Sequence, residues 1–547
     1  MNQAQRKGRK GFPVMVFLLF MGLVTILIAI AIPQFSAYRG GSYSSTYNPI
    51  DYAQISSSKS LLPELSTAER GPAFNTEEYD RIYENRFKDA SQNPLSTFSI
   101  DVDTASYSNV RIYISRNQMP PKDAVRIEEM INYFNYDYPK PEGEHPFSII
   151  TEISQCPWNL QNRLIHIGLQ GRSLDYNDLK PCNLVFLIDT SGSMSSNDKL
   201  PLLKKAFRLL LDELTGKDRV AIVAYAGSAG LVLASTPASQ KHRILAALGS
   251  LKSGGSTAGG AGIRLAYKIA KENLIKGGNN RVILATDGDF NVGVSSTGEL
   301  VRLIEEKRKD DIYLTLCGFG MGNYKDGRME QISNAGNGNY FYIDNIREAE
   351  KVFITEMRAT LFTIAKDVKI QIEFNPLKAK AYRLVGYENR VMANEDFNDD
   401  EKDAGELGAG HTVTALYEII PPGSTRDVRR TDRLKYQEKT VSTHASVGNE
   451  IMTVKFRYKL PGEDVSRLIE KPVIDEDVAL NEASDNFRFS AAVAGFGMLL
   501  RDSKFRGNLT YEEVIALSKS SKGKDENGYR TEFIGLAKTC ALLSSDL

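Results

Sequence analysis

NLVFLIDTSGSMSSNDKL, Asn183 to Leu200, carries the strongest structural signal in the chain. Its opening, Asn183 to Asp189, is a continuous apolar run closed by a carboxylate, as expected of a strand buried on both faces. Leu at 200, 202, 203, 209, 210, 211 and 214, with Lys and Arg between, gives Lys199 to Leu214 a helical period. The alternation continues to about Phe362. Arg219 to Ala226, Gly230 to Ala234, Arg281 to Ala285, Ile312 to Phe319 and Tyr340 to Ile343 read as strands. Gln240 to Leu251, Gly262 to Leu274, Thr297 to Lys309, Arg328 to Asn334 and Ile346 to Thr363 read as helices. This is the pattern of βα repeats in a doubly wound parallel sheet of the α/β class. Such sheets bind ligands outside the carboxyl ends of their strands, so the chemistry is expected just after Asp189 and Thr286.

Three loops meet that expectation: Asp189-Thr190-Ser191-Gly192-Ser193, the run Gly254 to Gly260 (GGSTAGG), and Asp287-Gly288-Asp289. They offer carboxylates and hydroxyls but neither thiolate nor imidazole, a hard-oxygen set that suits Mg²⁺ or Mn²⁺, or Ca²⁺. Serines at alternate positions after Asp189 let one tight turn aim three oxygens at one point. Enzyme chemistries fit less well. Ser191 and Ser193 lack a G-x-S-x-G elbow, and the glycine loop lacks the Lys-Ser/Thr ending of a phosphate-binding loop. Asp101 and Asp103 resemble a phosphatase D-x-D, but Ala105 follows and no parallel-sheet pattern does, so they are expected to cap the next turn.

The segments FLIDTSGSMSSNDKL, GGSTAGGAGI and LATDGDFNVG resemble the metal-ion-dependent adhesion site of the von Willebrand factor type A domain family. The resemblance implies that Asp189, Ser191, Ser193, Thr257 and Asp287 are metal ligands, some through water, with Asp289 and Asn291 at the rim. It further implies metal-dependent adhesion rather than turnover, a partner's Asp or Glu completing the shell of a cation held by few protein charges.

The whole chain from about Asn85 also resembles a bacterial membrane-anchored group in which the type A domain lies between an associated N-terminal region and an uncharacterised C-terminal region. The carriers are NPLSTFSIDVDTASYSNVRIYI (93–114), EEMINYFNYDYP (128–139), PWNLQNRLIHIGLQG (157–171), YKLPGEDVSRLIEKPV and SDNFRFSAAVAGFGMLLRDSKFRG. Strand-like runs lie on both sides of the α/β unit: Thr97 to Val102, Phe147 to Ile153 and Arg163 to Leu169 before it, Val368 to Phe374, Ala381 to Tyr387, Thr412 to Ile419 and Glu450 to Tyr458 after it. Neither set makes a comfortable sheet alone. Both flanks are therefore expected to form one β-sandwich with the α/β unit inserted, helices Asn109 to Gln118 and Ala124 to Phe134 at one end, and C-terminal helices Ser484 to Arg501, Thr510 to Lys519 and Tyr529 to Leu543. Acidic Glu395 to Glu406 and basic Arg426 to Lys439 read as solvated loops.

The 547 residues carry 68 Lys and Arg against 68 Asp and Glu, which removes the electrostatic case for a nucleic-acid partner. Phe12 to Pro33 contains no charge and is long enough to span a bilayer; Arg6, Lys7, Arg9 and Lys10 precede it. A single-pass anchor in the cytoplasmic membrane is expected, with the N-terminus in the cytoplasm and the bulk of the chain outside it, the competitor being a cleaved signal peptide with a shorter apolar core. The resulting division is 1–33 cytoplasmic tip and anchor, 34–84 flexible stalk, 85–182 associated region, 183–363 type A domain, 364–475 second part of the sandwich, and 476–547 helical region. Four Cys form no framework, although Cys156 and Cys182 could pair in an oxidising compartment. Two functions remain: an anchored, divalent-metal-dependent protein-binding module of the cell envelope, and a scaffold subunit of a membrane complex without metal-dependent capture.

Overall fold

The computed structural model describes residues 77–100, 102–174, 180–256, 259–288, 297–322, 324–426, 428, 432 and 449–545. The first flank contributes β1 (Lys88–Asp89), β2 (Leu95–Ser99), α1 (Ala105–Ser115), α2 (Ile127–Asn132), β3 (Phe147–Cys156) and β4 (Asn159–Gly171). The central unit opens with β5 (Cys182–Asp189), α3 (Leu200–Glu213), β6 (Arg219–Tyr225), β7 (Ala229–Pro237), α4 (Lys241–Ser250) and α5 (Gly259–Glu272). It continues through β8 (Asn279–Thr286), α6 (Thr297–Arg308), β9 (Ile312–Phe319), α7 (Asp326–Ala335) and β10 (Tyr340–Ile343). It closes with α8 (Ile346–Glu350), a π-helical turn at Lys351–Glu356 and α9 (Met357–Leu361).

β5 pairs in parallel with β6 on one side and β8 on the other, in the sheet order β10-β9-β8-β5-β6-β7. One strand departs from the expected parallel sheet: β7 runs antiparallel to β6. The connection between them is a tight turn in which the Ala226 N–H donates to Ser228 O, too short for the crossover a parallel pair needs. Both sheet faces are covered. Leu184, Phe186 and Ile188 pack with Leu203, Phe207, Ile244 and Phe353 from α3, α4 and the π turn. Val185 and Leu187 pack with Ile263, Ala266, Ile304 and Ile332 from α5, α6 and α7. Helix α1 joins this second face through Ala105, Ile112 and Tyr113.

The second flank adds β11 (Thr363–Phe374), β12 (Ala381–Val385), β13 (Val391–Met392), β14 (Gly405–Gly408), β15 (Thr412–Ile420), β16 (Glu450–Lys459) and β17 (Arg467–Ile474). Helices α10 (Asp485–Arg501), α11 (Tyr511–Ser520) and α12 (Tyr529–Ser545) follow. Each remaining sheet takes strands from both flanks: one has the order β1-β12-β15-β4-β3, the other β13-β2-β11-β16-β17 with β14 against β11. Their shared core holds Ile165, Ile167, Ile370, Ile372, Tyr417, Val454 and Phe456, so the sandwich with an inserted α/β unit is the architecture. Alternate residues of β4 and β15, such as Leu164 and Leu416, face a further core built with Phe487, Val493, Phe496 and Phe533 of the terminal helices. One sheet is thus buried on both sides, by its partner sheet and by α10–α12.

Several expectations are corrected. Cys156 and Cys182 do not pair; all four cysteines are free and buried, and these two lie in separate cores. Of the Asp101 and Asp103 pair expected to cap a turn, Asp101 lies outside the described residues, and the Asp103 carboxylate reaches further than a local cap, accepting from the Tyr340 N–H at 2.9 Å and from Arg390 at 3.1 Å. Part of the acidic loop is ordered as β14, where Glu406 accepts from Asn337 and Thr363. Most of the basic run, the expected stalk to residue 76 and the expected anchor lie outside the described residues. Among those described, no helix is long and apolar enough to cross a membrane.

Candidate functional site

Asp189 is the last residue of β5, and Asp287 immediately follows β8, the neighbouring strand. The chain leaves β5 for β6 on one side and later returns to build β8 on the other. The two carboxylates therefore sit at the carboxyl-end crevice where strand order reverses.

Backbone hydrogen bonds shape the first two loops. Thr190 N–H donates to Tyr225 O at 2.9 Å, Gly254 N–H to Thr190 O at 2.8 Å, and Gly192 N–H to Gly255 O at 3.1 Å. The glycine loop is thereby stitched to the serine loop. Helix α5, which follows it, approaches the sheet closely at Gly262, where a Cβ would stand 3.0 Å from Tyr225 Cβ and 3.1 Å from Leu187 Cδ1. Only glycine fits that contact without displacing a neighbour.

The side chains converge. Asp189 Oδ1 accepts from the Ser191 N–H at 2.8 Å, and the Ser191 and Ser193 hydroxyl oxygens are 3.0 Å apart. Asp189 Oδ2 accepts from the Tyr225 and Thr286 hydroxyls, each at 3.2 Å. Asp287 Oδ2 accepts from Lys199 Nζ at 2.8 Å. Asp189 and Asp287 are buried, whereas Ser193 is half-buried and Gly192 and Ser256 are exposed, so the pocket opens along the two loops. Burial, with a contribution from the Asp287 carboxylate, pushes the Asp189 carboxyl up to about 6 against the pull of its hydrogen bonds from Ser191 and Thr286. A buried acid under this pressure, beside two converging hydroxyls, is a donor set that a hard divalent cation would relieve; the residues fit the group.

Four of the five residues expected to ligate are brought to this crevice. The fifth, Thr257, and the rim residues Asp289 and Asn291 lie outside the described residues. Sequence reasoning missed Lys199, Tyr225 and Thr286. Tyr225 and Thr286 had a detectable signal, each being the last residue of a strand whose carboxyl end faces the crevice. Among the described residues no group of three or more His, Cys, Asp or Glu is placed to hold a metal ion.

Residues 183–355 match the family model described as von Willebrand factor type A domain, residues 73–166 the model described as von Willebrand factor, and residues 359–543 that described as uncharacterized protein YfbK, C-terminal. Over 468 residues the chain is 42% identical to uncharacterized protein YfbK of Escherichia coli (strain K12), covering 84% of this chain and 80% of that one. It is 28% identical over 195 residues to uncharacterized protein sll0103 of Synechocystis sp., covering 35% and 44% of the two chains. A solved structure of a von Willebrand factor type A protein from Catenulispora acidiphila is 17% identical with a TM-score of 0.40, covering 75% of this chain and 99% of that one.

Proposed function

Because the chain belongs to the family of von Willebrand factor type A domain proteins that share the YfbK C-terminal region, we propose that its crevice is a divalent-metal-dependent adhesion site. The type A domain is a protein-interaction module. The reading extends this to capture of a partner's Asp or Glu. Asp189, Ser191, Ser193, Thr257 and Asp287 would hold Mg²⁺, or Mn²⁺ or Ca²⁺. When bound, the cation supplies an electrophilic coordination position for that carboxylate.

This chain's own residues prepare the crevice. Tyr225 and Thr286 fix one oxygen of Asp189, and the Ser191 amide fixes the other, so the carboxylate has little freedom to turn away. The paired serine hydroxyls stand where the pocket opens. The observation that carries the reading is this convergence of Asp189, Ser191 and Ser193 one strand away from Asp287.

The apolar stretch Phe12 to Pro33 behind four basic residues supports placing the module at the bacterial cell envelope, anchored in the cytoplasmic membrane with its bulk outside the cytoplasm. The test is capture of envelope proteins by the full chain, with Mg²⁺ and with EDTA, repeated with Asp189→Ala. Capture in Mg²⁺ and loss of partners both with EDTA and with Asp189→Ala are expected. Partners that persist through both would point instead to a scaffold subunit.

A further inference from the structure

The same crevice contains an unexpected positive charge. Lys199 is the N-cap of α3, yet its side chain makes no capping hydrogen bond, and a cation at that end of a helix is opposed by the helix dipole. A local choice that weakens its own helix calls for a compensating contact elsewhere. The compensation is Asp287: the ammonium stands 2.8 Å from Oδ2, with the lysine side chain 8% and the aspartate side chain 0% exposed.

The fold makes room for this arm. At Gly320, just past β9, a Cβ would lie 2.3 Å from Lys199 Cε, 2.4 Å from Cγ and 2.9 Å from Cδ. The φ of +70° at Gly320 keeps the backbone in the left-handed region, so glycine suits this position on both counts. Tyr342 Oη donates to Gly320 O at 2.7 Å and steadies the turn. The lysine stem thus lies in a groove and is no loose surface chain.

We propose that Lys199 is a built-in counter-cation that competes with the divalent ion for Asp287 and sets how tightly the crevice takes metal. The proposal rests on the metal-site reading above. With the ammonium in place, Asp189 and Asp287 together present one net negative charge instead of two. A divalent ion entering then meets a like charge at short range in a poorly solvated pocket. Full engagement of Asp287 requires the lysine to withdraw along its groove. Metal loading becomes conditional, and a partner that brings its own carboxylate adds the charge the lysine has cancelled. Partner and cation would therefore bind more tightly together than either alone.

The experiment measures Mn²⁺ affinity of the full-length chain by electron paramagnetic resonance of the free ion, with Mg²⁺ as competitor, for the unaltered protein, Lys199→Met, Lys199→Gln, Lys199→Arg and Asp189→Ala. Lys199→Met and Lys199→Gln are expected to bind at least ten-fold tighter than the unaltered protein. Lys199→Arg, which keeps the charge, is expected to stay within about three-fold of it. Unchanged or weaker affinity in folded Lys199→Met and Lys199→Gln overturns the counter-cation role while leaving the metal site standing. A purely structural lysine would give this result together with a lowered melting temperature. If no protein in the series binds Mn²⁺, or if Asp189→Ala binds it as well as the unaltered chain, the metal-site reading itself fails.

Discussion

His166 links the sandwich to the terminal helices, and its surroundings define its proton. Ser490 Oγ donates to Phe487 O, so its oxygen is left to accept from His166 Nδ1 at 3.0 Å. Nε2 then accepts from Tyr138 Oη at 2.7 Å. Burial pushes this imidazole down to about 3. The unfolded chain takes up a proton near pH 6.5, the folded chain only near 3, so the unfolded state binds more protons between these values. Stability is therefore present above pH 6.5 and falls as the pH drops through that window, by about 1.4 kcal/mol per pH unit. Urea unfolding of the unaltered chain and of His166→Gln from pH 7 to pH 4 is expected to show the steeper loss in the former. Parallel curves would show that His166 is not held neutral. The crevice residues Asp189, Ser191 and Ser193 were legible at this scale because they lie within five positions of one another. Lys199 was not, because its partner is 88 residues away.

At the scale of elements, α1 begins at Ala105, a turn before the expected Asn109, because its serines serve tertiary contacts in place of a loop. Ser106 N–H donates to Glu129 at 2.7 Å, and its hydroxyl donates to Ala124 O. Arg111 of the same helix is buried and bonded to Asp344, Glu348 at 2.8 Å and Glu532 at 3.0 Å. One guanidinium thus ties the associated region to the last helical stretch of the type A domain and to α12. Arg111→Met leaves these carboxylates without their buried cation and is expected to cost about 3–5 kcal/mol. Denaturant unfolding followed by Trp158, buried in the adjoining helix-side core, measures it. A loss below about 1 kcal/mol would show that the network is not a structural bolt. β17 escaped the sequence reading for an opposite reason. It is an edge strand with every second residue of its first six exposed, and with Pro472 and charges along it, so it lacks the apolar signature of the inner strands.

For the whole molecule, the decisive fact is that the two flanks need each other. β2 lies between β11 and β13, and β4 lies between β15 and β3, so a chain ending at Leu361 would leave β2 without either neighbour and β4 with only β3. The sandwich core would also lose most of its buried residues, which come from strands after Leu361. Such a truncation is expected to yield aggregated flanking segments, read by size-exclusion chromatography. A monodisperse product with the full strand content of the first flank would contradict the shared sandwich. The flank strands on either side of the inserted unit come into contact: a Cβ on Gly171, the last residue of β4, would lie 3.0 Å from Ile364 Cδ1 of β11.

Periodicity and short-range spacing were enough to define the central α/β unit, its loop positions and four of the crevice residues, because each depends on neighbours within one strand–loop–helix unit. The partition of flank strands between two sheets, the covering of one sheet by α10–α12, and the seating of Lys199 on Asp287 emerged only from folding. Those features are contacts between residues far apart in the chain, chosen by burial and charge pairing in three dimensions, and no local pattern encodes which distant strand or carboxylate will be the partner.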